Sequence, residues 1–450
     1  MAALAVAVLV VVLGDARTSI ADEPSLHMPD EPPIFAEYAT ALDAVVARER
    51  VDGGWVFATQ PGERVHPHTY PLRFAERVAA PFGLADWDIV VLRSPGTPAA
   101  ILALLNGYRL LGDERYVASA RRAGDLLVAL QMSSGGWFSE MPARGRFPVP
   151  WFTWTVLRTA IDDDVTPGAI RALLALYPLT RLDAYREAAE RGIAFLVERQ
   201  LPVGAWPLVA RPKWKQMLYR DFEDQPTLND GATTQSMTTL LLAARVLGRP
   251  ELLKAARRAG DWIVAAQQAA PQAGWAQQYD EAGKPAPARR YERIALASWE
   301  TRYVIDALVE LAEATGNAAY CAPVGPAARW LVASQISPGC WARFYELGSN
   351  QPLYFNEQRE IVGTPTEAHQ PYDWTGDFGI RDLLLRLTGE PMRDDLGAPI
   401  PGDPGACPNP TAPKFDPTTA TDPRQLIAWA ARLGDLIQPR DPPPPACRIQ

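Results

Sequence analysis

The sequence predicts an all-α fold: repeated helical hairpins forming an (α/α) barrel or toroid, followed by a Pro-rich C-terminal tail. Two observations predict it. Four segments each place a glutamine at a helix end and a Gly-x-Trp or Gly-Trp turn shortly after it, running Gln131 to Trp137, Gln200 to Trp206, Gln268 to Trp275 and Gln335 to Trp341. These tryptophans lie 69, 69 and 66 residues apart, with Gly53-Gly54-Trp55 as an earlier, looser copy. The intervals are filled by apolar residues at three- and four-residue spacing, and strand-like alternation is scarce. A hairpin of two helices cannot bury its apolar stripe alone, so neighbours must stack. An open solenoid is the alternative; a closed ring would gather the loops at one mouth.

The elements follow in chain order. Residues 2–13 form an apolar run, and Ser19-Ile20-Ala21 offers a small-x-small cleavage site before Asp22. This reads as a signal peptide over residues 1–21, without the usual Lys or Arg ahead of the run. The run falls short of the ~20 apolar residues a membrane span needs. Residues 22–389 are expected to be the barrel domain. Its helix pairs include 98–111 with 114–131, and 299–314 with 326–335. Another pairs 232–247, closed by Gly248, with 251–268, where Leu252, Leu253, Ala256, Ala259 and Ile263 share a face. Residues 390–450 carry 14 of the 43 prolines and read as a tail packed on the main domain, broken by one amphipathic helix near 423–436. Cys321, Cys340, Cys407 and Cys447 allow three pairings in an oxidising compartment, and a Cys407–Cys447 bridge would staple the tail.

Composition excludes several functions. Of the 450 residues, 48% are hydrophobic and 21% charged, which fits a globular chain. The net charge of −8, with no basic runs, argues against nucleic acid as a partner. His27, His66, His68 and His369 are too scattered for an HExxH zinc site. The expectation is a secreted or periplasmic monomer with no membrane partner.

Polar residues then mark a site. Ile161-Asp162-Asp163-Asp164-Val165-Thr166 aligns with Leu228-Asn229-Asp230-Gly231-Ala232-Thr233, so Asp163 and Asp230 occupy equivalent loop-to-helix junctions. Helix capping explains one aspartate at each junction but not three in a row. Hard oxygen ligands clustered at a cavity mouth suit calcium, for which Asp162, Asp163 and Asp230 are the candidates. Two loops after tryptophans present arginine beside an aromatic and a glutamate: Arg289-Arg290-Tyr291-Glu292 and Arg343-Phe344-Tyr345-Glu346. Exposed Arg–Glu pairs stabilise little, but guanidinium forks bind carboxylates bidentately. Calcium, arginines and aromatic faces together point to a polyuronate, a chain with one carboxylate on each sugar. The accessible cleavage is β-elimination, in which a base removes the C5 proton α to the carboxylate and the 4-linked sugar leaves.

GWAQQYD followed by ARRYE, WARFYELGSNQPLY, IDDDVTPGAIRALL and LNDGATTQSM resemble polysaccharide lyase family 10, the helical-barrel pectate lyases, over residues 53–377. The resemblance implies cleavage of polygalacturonate, a pectin-type polysaccharide, by calcium-assisted anti β-elimination with an arginine base. Arg289 is then the expected base and Arg290 its rival. Arg343 would bind a substrate carboxylate, and Asp280, Lys213 and Lys215 would add substrate contacts. The chain departs from the family after Arg343, reading Asn350-Gln351-Pro352 and then Asn356-Glu357-Gln358-Arg359-Glu360, which changes the subsite contacts. Two other readings use the same residues. One is a polyuronate-binding protein without turnover; the other is a toroid resembling the triterpene cyclases.

Overall fold

The computed structural model describes residues 33–56, 77, 81, 89–142, 158–211, 221–289, 291–369, 372–389, 422–438 and 440–449. Among them are eleven α-helices: α1 (Pro33–Ala47), α2 (Thr97–Leu111), α3 (Glu114–Leu130), α4 (Val165–Thr180), α5 (Asp183–Arg199), α6 (Ala232–Val246), α7 (Leu253–Ala266), α8 (Ser298–Thr315), α9 (Val324–Ala333), α10 (Ile380–Thr388) and α11 (Pro423–Ile437). The first helix of each hairpin is buried along most of its length and the second mainly on one face. In α4, 13 of 16 residues are buried, whereas α5 buries 7 of 17. The predicted hairpins and the tail helix are all present, their ends shifted by a few residues. None of the described helices is long and apolar enough to cross a membrane.

The chain divides into two compact units. The first comprises Met1–Glu198, Arg245–Arg249 and Lys414–Arg440; the second comprises Arg199–Ala244, Pro250–Pro413 and Asp441–Gln450. In the first, α11 packs on α1 and α2, its start capped by Asp422, whose side chain accepts from the Arg424 N–H at 2.9 Å. In the second, α8 packs against α7, α9 and α10.

The repeated Gln and Trp are wiring. Gln131 Nε2 donates to the carbonyls of Gly135 at 2.6 Å and Ala188 at 2.8 Å, clipping the end of α3 to α5. Gln200 does the same with Gly204 and Ala255, at 2.6 and 2.8 Å. In the third copy the clip is Gln267, not Gln268; it reaches Ala273 and Pro323 at 2.8 and 2.9 Å. The turns need glycine: Gly135 and Gly204 have φ of 94° and 108°, and a Cβ there would lie within 2.5 Å of a carbonyl oxygen, of Arg191 on α5 and Arg258 on α7. Trp55, Trp137, Trp206, Trp275 and Trp341 are all fully buried, so none is left to stack on a ligand. The backbone N–H groups of Trp55, Trp137, Trp206 and Trp275 each reach a threonine hydroxyl in the helix that follows: Thr97, Thr166, Thr233 and Thr301. Gly53-Gly54-Trp55 is therefore a full copy of the turn.

The strands are short pairings among the loops. In the second unit, residues 296–297, 344–345, 352–355 and 361–362 form one antiparallel sheet in that spatial order, with Ala297 opposite Phe344. A second sheet orders 335–337, 340–342 and 375–376. Arg343 sits where the chain passes from one sheet to the other. Cys447 is bonded to Cys321 rather than to Cys407, so the tail's last residues are tied beside α9 and the expected staple does not form.

Candidate active site

The junction before α6 is built by hydrogen bonds from a neighbouring loop. The Gln277 carbonyl accepts from the backbone N–H groups of Leu228 and Asn229 at 3.0 and 3.1 Å, and from the Thr227 hydroxyl at 3.0 Å. The chain then turns through Asp230 (φ 50°) and Gly231 (φ 73°) into α6. The Asp230 backbone is left-handed, a non-helical break just ahead of α6.

Arg289 meets that carboxylate. Its guanidinium donates to Asp230 Oδ2 at 2.8 Å and to Glu292 Oε1 at 2.9 Å, while its backbone N–H donates to Glu292 Oε2 at 3.0 Å. Glu292 is buried and also accepts from the Tyr372 hydroxyl at 3.2 Å. Burial alone would lower the Arg289 pKa, but Asp230 and Glu292 outweigh it and hold the guanidinium well above its usual range.

Arg343 is a different kind of arginine. It is 7% exposed and lies between two aromatic faces, with Cζ 4.7 Å from the Trp299 ring centre and 4.5 Å from that of Tyr372. Its side chain makes no hydrogen bond to a described residue, and its Nε is buried without a partner. The nearest carboxylate is not Glu346 of its own loop but Glu300, in the first turn of α8, at 3.7 Å. Glu300 is buried, and its Oε1 accepts from Gln277 Nε2 at 3.2 Å. Burial pushes its carboxyl up to about 7, against the opposing pull of Arg343.

The aromatic wall continues outward. Tyr291 stacks on His369 at 4.1 Å and meets Tyr372 edge-on at 5.4 Å; Trp299 meets Phe378 edge-on at 5.2 Å. Trp299, Tyr291 and Tyr372 are all partly exposed.

The structure thus brings Asp230, Arg289 and Arg343 into one cluster. Asp162 and Asp163 belong to the first unit, at the junction before α4, where the Asp163 carbonyl accepts from the Ser94 N–H at 2.8 Å. Asp280 serves its own turn, its Oδ1 accepting from the backbone N–H groups of Ala282 and Lys284 at 2.9 and 2.8 Å. Lys213, Lys215 and Arg290 lie outside the described residues. Sequence reasoning missed Glu300, Trp299, Gln277 and Tyr372. One signal was available for Glu300. The residue before each repeat threonine is Val165 ahead of Thr166 and Ala232 ahead of Thr233, but it is a glutamate ahead of Thr301.

Comparison with known proteins then decides the class. Residues 152–337 match the family model for pectic acid lyase, a span that takes in Asp230, Arg289 and Glu300 and stops just short of Arg343. Over those residues, less than half of its 450, the chain is similar to pectic acid lyase, and that likeness supports a polysaccharide lyase. A family 10 polysaccharide lyase from Cellvibrio cellulosa, solved as a mutant in complex with trigalacturonic acid, is 19% identical, with a TM-score of 0.48, covering 64% of this chain and 97% of that one. The cellobiose 2-epimerases of Spirochaeta thermophila and Bacillus thermoamylovorans are 13% and 12% identical, and both have a TM-score of 0.51. They cover 90% and 89% of this chain, and 97% and 99% of their own. Their likeness gives the lyase the (α/α)-barrel fold. No curated protein matches the sequence.

Proposed function

We propose that this polysaccharide lyase is a secreted pectate lyase that cleaves polygalacturonate by calcium-dependent β-elimination, with Arg289 as the base. The observation that carries this reading is Arg343. A nearly buried guanidinium, gripped by two ring faces and without a hydrogen bond to a described residue, is a preformed receptor for a planar carboxylate. The pectic acid lyase match supports a uronate as that carboxylate. The partly exposed rings of Trp299 and Tyr291 suit the faces of the adjoining sugars.

The chemistry is compact. The base takes the proton from C5, the C5–H electrons become the C4=C5 double bond, and the C4–O bond breaks. The departing 4-linked sugar takes a proton from water, and the new chain end keeps its carboxylate. Arg343 holds that carboxylate as negative charge builds on it in the transition state. Arg289 starts from a charged state maintained by Asp230 and Glu292. Whatever draws Asp230 away from Arg289 therefore makes its deprotonation easier, and alkaline pH acts in the same direction. Peak turnover well above neutral pH is expected.

Calcium suits the hard oxygens of Asp230, but among the described residues no group of three or more His, Cys, Asp or Glu side chains could hold a metal alone. Uronate carboxylates would have to complete the coordination at Asp230. When bound, the cation supplies charge neutralisation for the carboxylate beside C5. The Cys321–Cys447 disulfide fits the oxidising compartment that secretion implies.

The test is ultraviolet absorbance on polygalacturonate, with and without a chelator. Elimination produces a 4,5-unsaturated uronide absorbing near ~235 nm, an expectation from the enolate-type transition state. Binding of the polymer without any rise in absorbance would favour the binding-only reading.

A further inference from the structure

Two arginines line the site, and their carboxylates treat them differently. Arg289 is fully engaged, forked between Asp230 and Glu292 at hydrogen-bond distance. Arg343 faces Glu300 across 3.7 Å, within reach of charge but beyond a good hydrogen bond. The fold holds them apart. Arg343 is fixed by its backbone, whose N–H donates to the Trp374 carbonyl at 2.8 Å and whose carbonyl accepts from the Ser298 N–H at 3.0 Å. Its guanidinium is fixed by the rings of Trp299 and Tyr372. Glu300 is fixed by Gln277, whose Nε2 also donates to Asn229 Oδ1 at 2.5 Å. That last bond ties Glu300 to the turn that presents Asp230. Glu300 Oε2 is buried and has no hydrogen-bond partner among the described residues.

We propose that Glu300 is a positioning residue for Arg343: a buried counter-charge that holds the guanidinium half-satisfied, so that a uronate carboxylate is bound and yet released. This rests on the reading of Arg343 as the carboxylate receptor. Glu300 is buried, 3.7 Å from the guanidinium, and is not exposed to touch substrate. It acts by competing electrostatically for a single positive charge. Were the pair closed to hydrogen-bond distance, Arg343 would be satisfied internally and would have little left for a ligand. Were Glu300 absent, the arginine would hold the uronate of substrate and product alike, and release would slow.

The experiment compares KM and kcat on polygalacturonate for the wild-type chain, Glu300→Gln, Glu300→Asp and Arg343→Ala. Binding of trigalacturonate and of its methyl ester is measured alongside in an Arg289→Ala background. Glu300→Gln is expected to lower KM and the trigalacturonate Kd several-fold, with the methyl ester unaffected. Glu300→Asp, which keeps the charge, should stay near wild type in KM. A purely structural Glu300 would show both substitutions raising KM together, or both ligands losing affinity alike, and either result overturns the proposal. Should Arg343→Ala leave KM unchanged, the receptor reading itself fails. Should Arg343→Ala raise KM while Glu300→Gln does not lower it, only the role of Glu300 fails.

Discussion

At residues 161–166 and 228–233 the chain makes the same turn twice. Asp163 and Asp230 have φ of 51° and 50°, and the hydroxyls of Thr166 and Thr233 catch the preceding tryptophan's N–H at 3.1 and 2.9 Å. The next residue separates the two. In the first turn it is Asp164, buried and ion-paired with Arg171 two turns along α4, both side chains nearly inaccessible. In the second it is Gly231, and the position matching Arg171 is Thr238, so α6 brings no charge of its own there. Asp230 is answered instead by Arg289, 59 residues on in the sequence, at a partly exposed contact. One backbone therefore serves two ends. Where the charge is settled within the helix the result is a structural pair, and where its partner comes from a distant loop the result is a site.

The largest expected effect tests that division. Arg289→Ala should cost turnover per folded molecule roughly 10³-fold, the scale of a lost general base, while leaving substrate affinity in place. Arg171→Ala should do the opposite. It strands the buried Asp164 carboxylate and should cost about 3–5 kcal/mol of stability, with turnover per folded molecule retained. Steady-state kinetics and urea unfolding on both variants check the contrast. Full activity in Arg289→Ala would move the base assignment to Arg290.

A smaller effect sharpens the comparison of the aspartates themselves. Asp230→Ala should raise the calcium needed for half-maximal activity by roughly 10–100-fold, the range for altering a metal's immediate surroundings. Asp163→Ala puts the same question to the first turn on its own. Calcium titrations of activity decide the matter. An unmoved midpoint in Asp163→Ala would make the first turn wholly structural, and an unmoved midpoint in Asp230→Ala would remove the calcium assignment from both.

The pattern of what was legible follows from the same physics. Helix pairs, their repeat and the glycine turns were readable because each is dictated locally, by apolar spacing or by a φ that only glycine adopts easily. Arg289 and Asp230 were readable because each sits in a recognisable local motif. Their pairing with each other was not, since it depends on how two loops meet. Arg343 was legible from its loop motif, but the carboxylate that faces it, Glu300, comes from another helix and was not. The disulfide failed for the same reason. Cys407 and Cys447 bracket the tail in sequence, yet Cys447 pairs with Cys321 across 126 residues. Gln267 was displaced by one because two glutamines stand side by side and only the helix register selects between them.

The finest test concerns whether the pair in the second unit is open or closed. Glu300 has its carboxyl pushed up to about 7, from an ordinary value of 4.5, chiefly by burial. The folded chain thus holds this proton more tightly than the unfolded chain does. Its contribution to stability is complete below about pH 4.5 and is lost as pH rises through about 7. Across that window the loss amounts to about 3 kcal/mol, because each pH unit between the two values is worth about 1.4 kcal/mol. Glu300→Gln carries no such proton, so urea unfolding at pH 5 and pH 8 should show the variant gaining on wild type as pH rises. If the two lose or keep stability in parallel, Glu300 ionises at an ordinary pH because Arg343 closes on it in solution. The second unit's pair would then be of the same kind as Asp164 with Arg171, and the open guanidinium that marks this site as a carboxylate receptor would be gone.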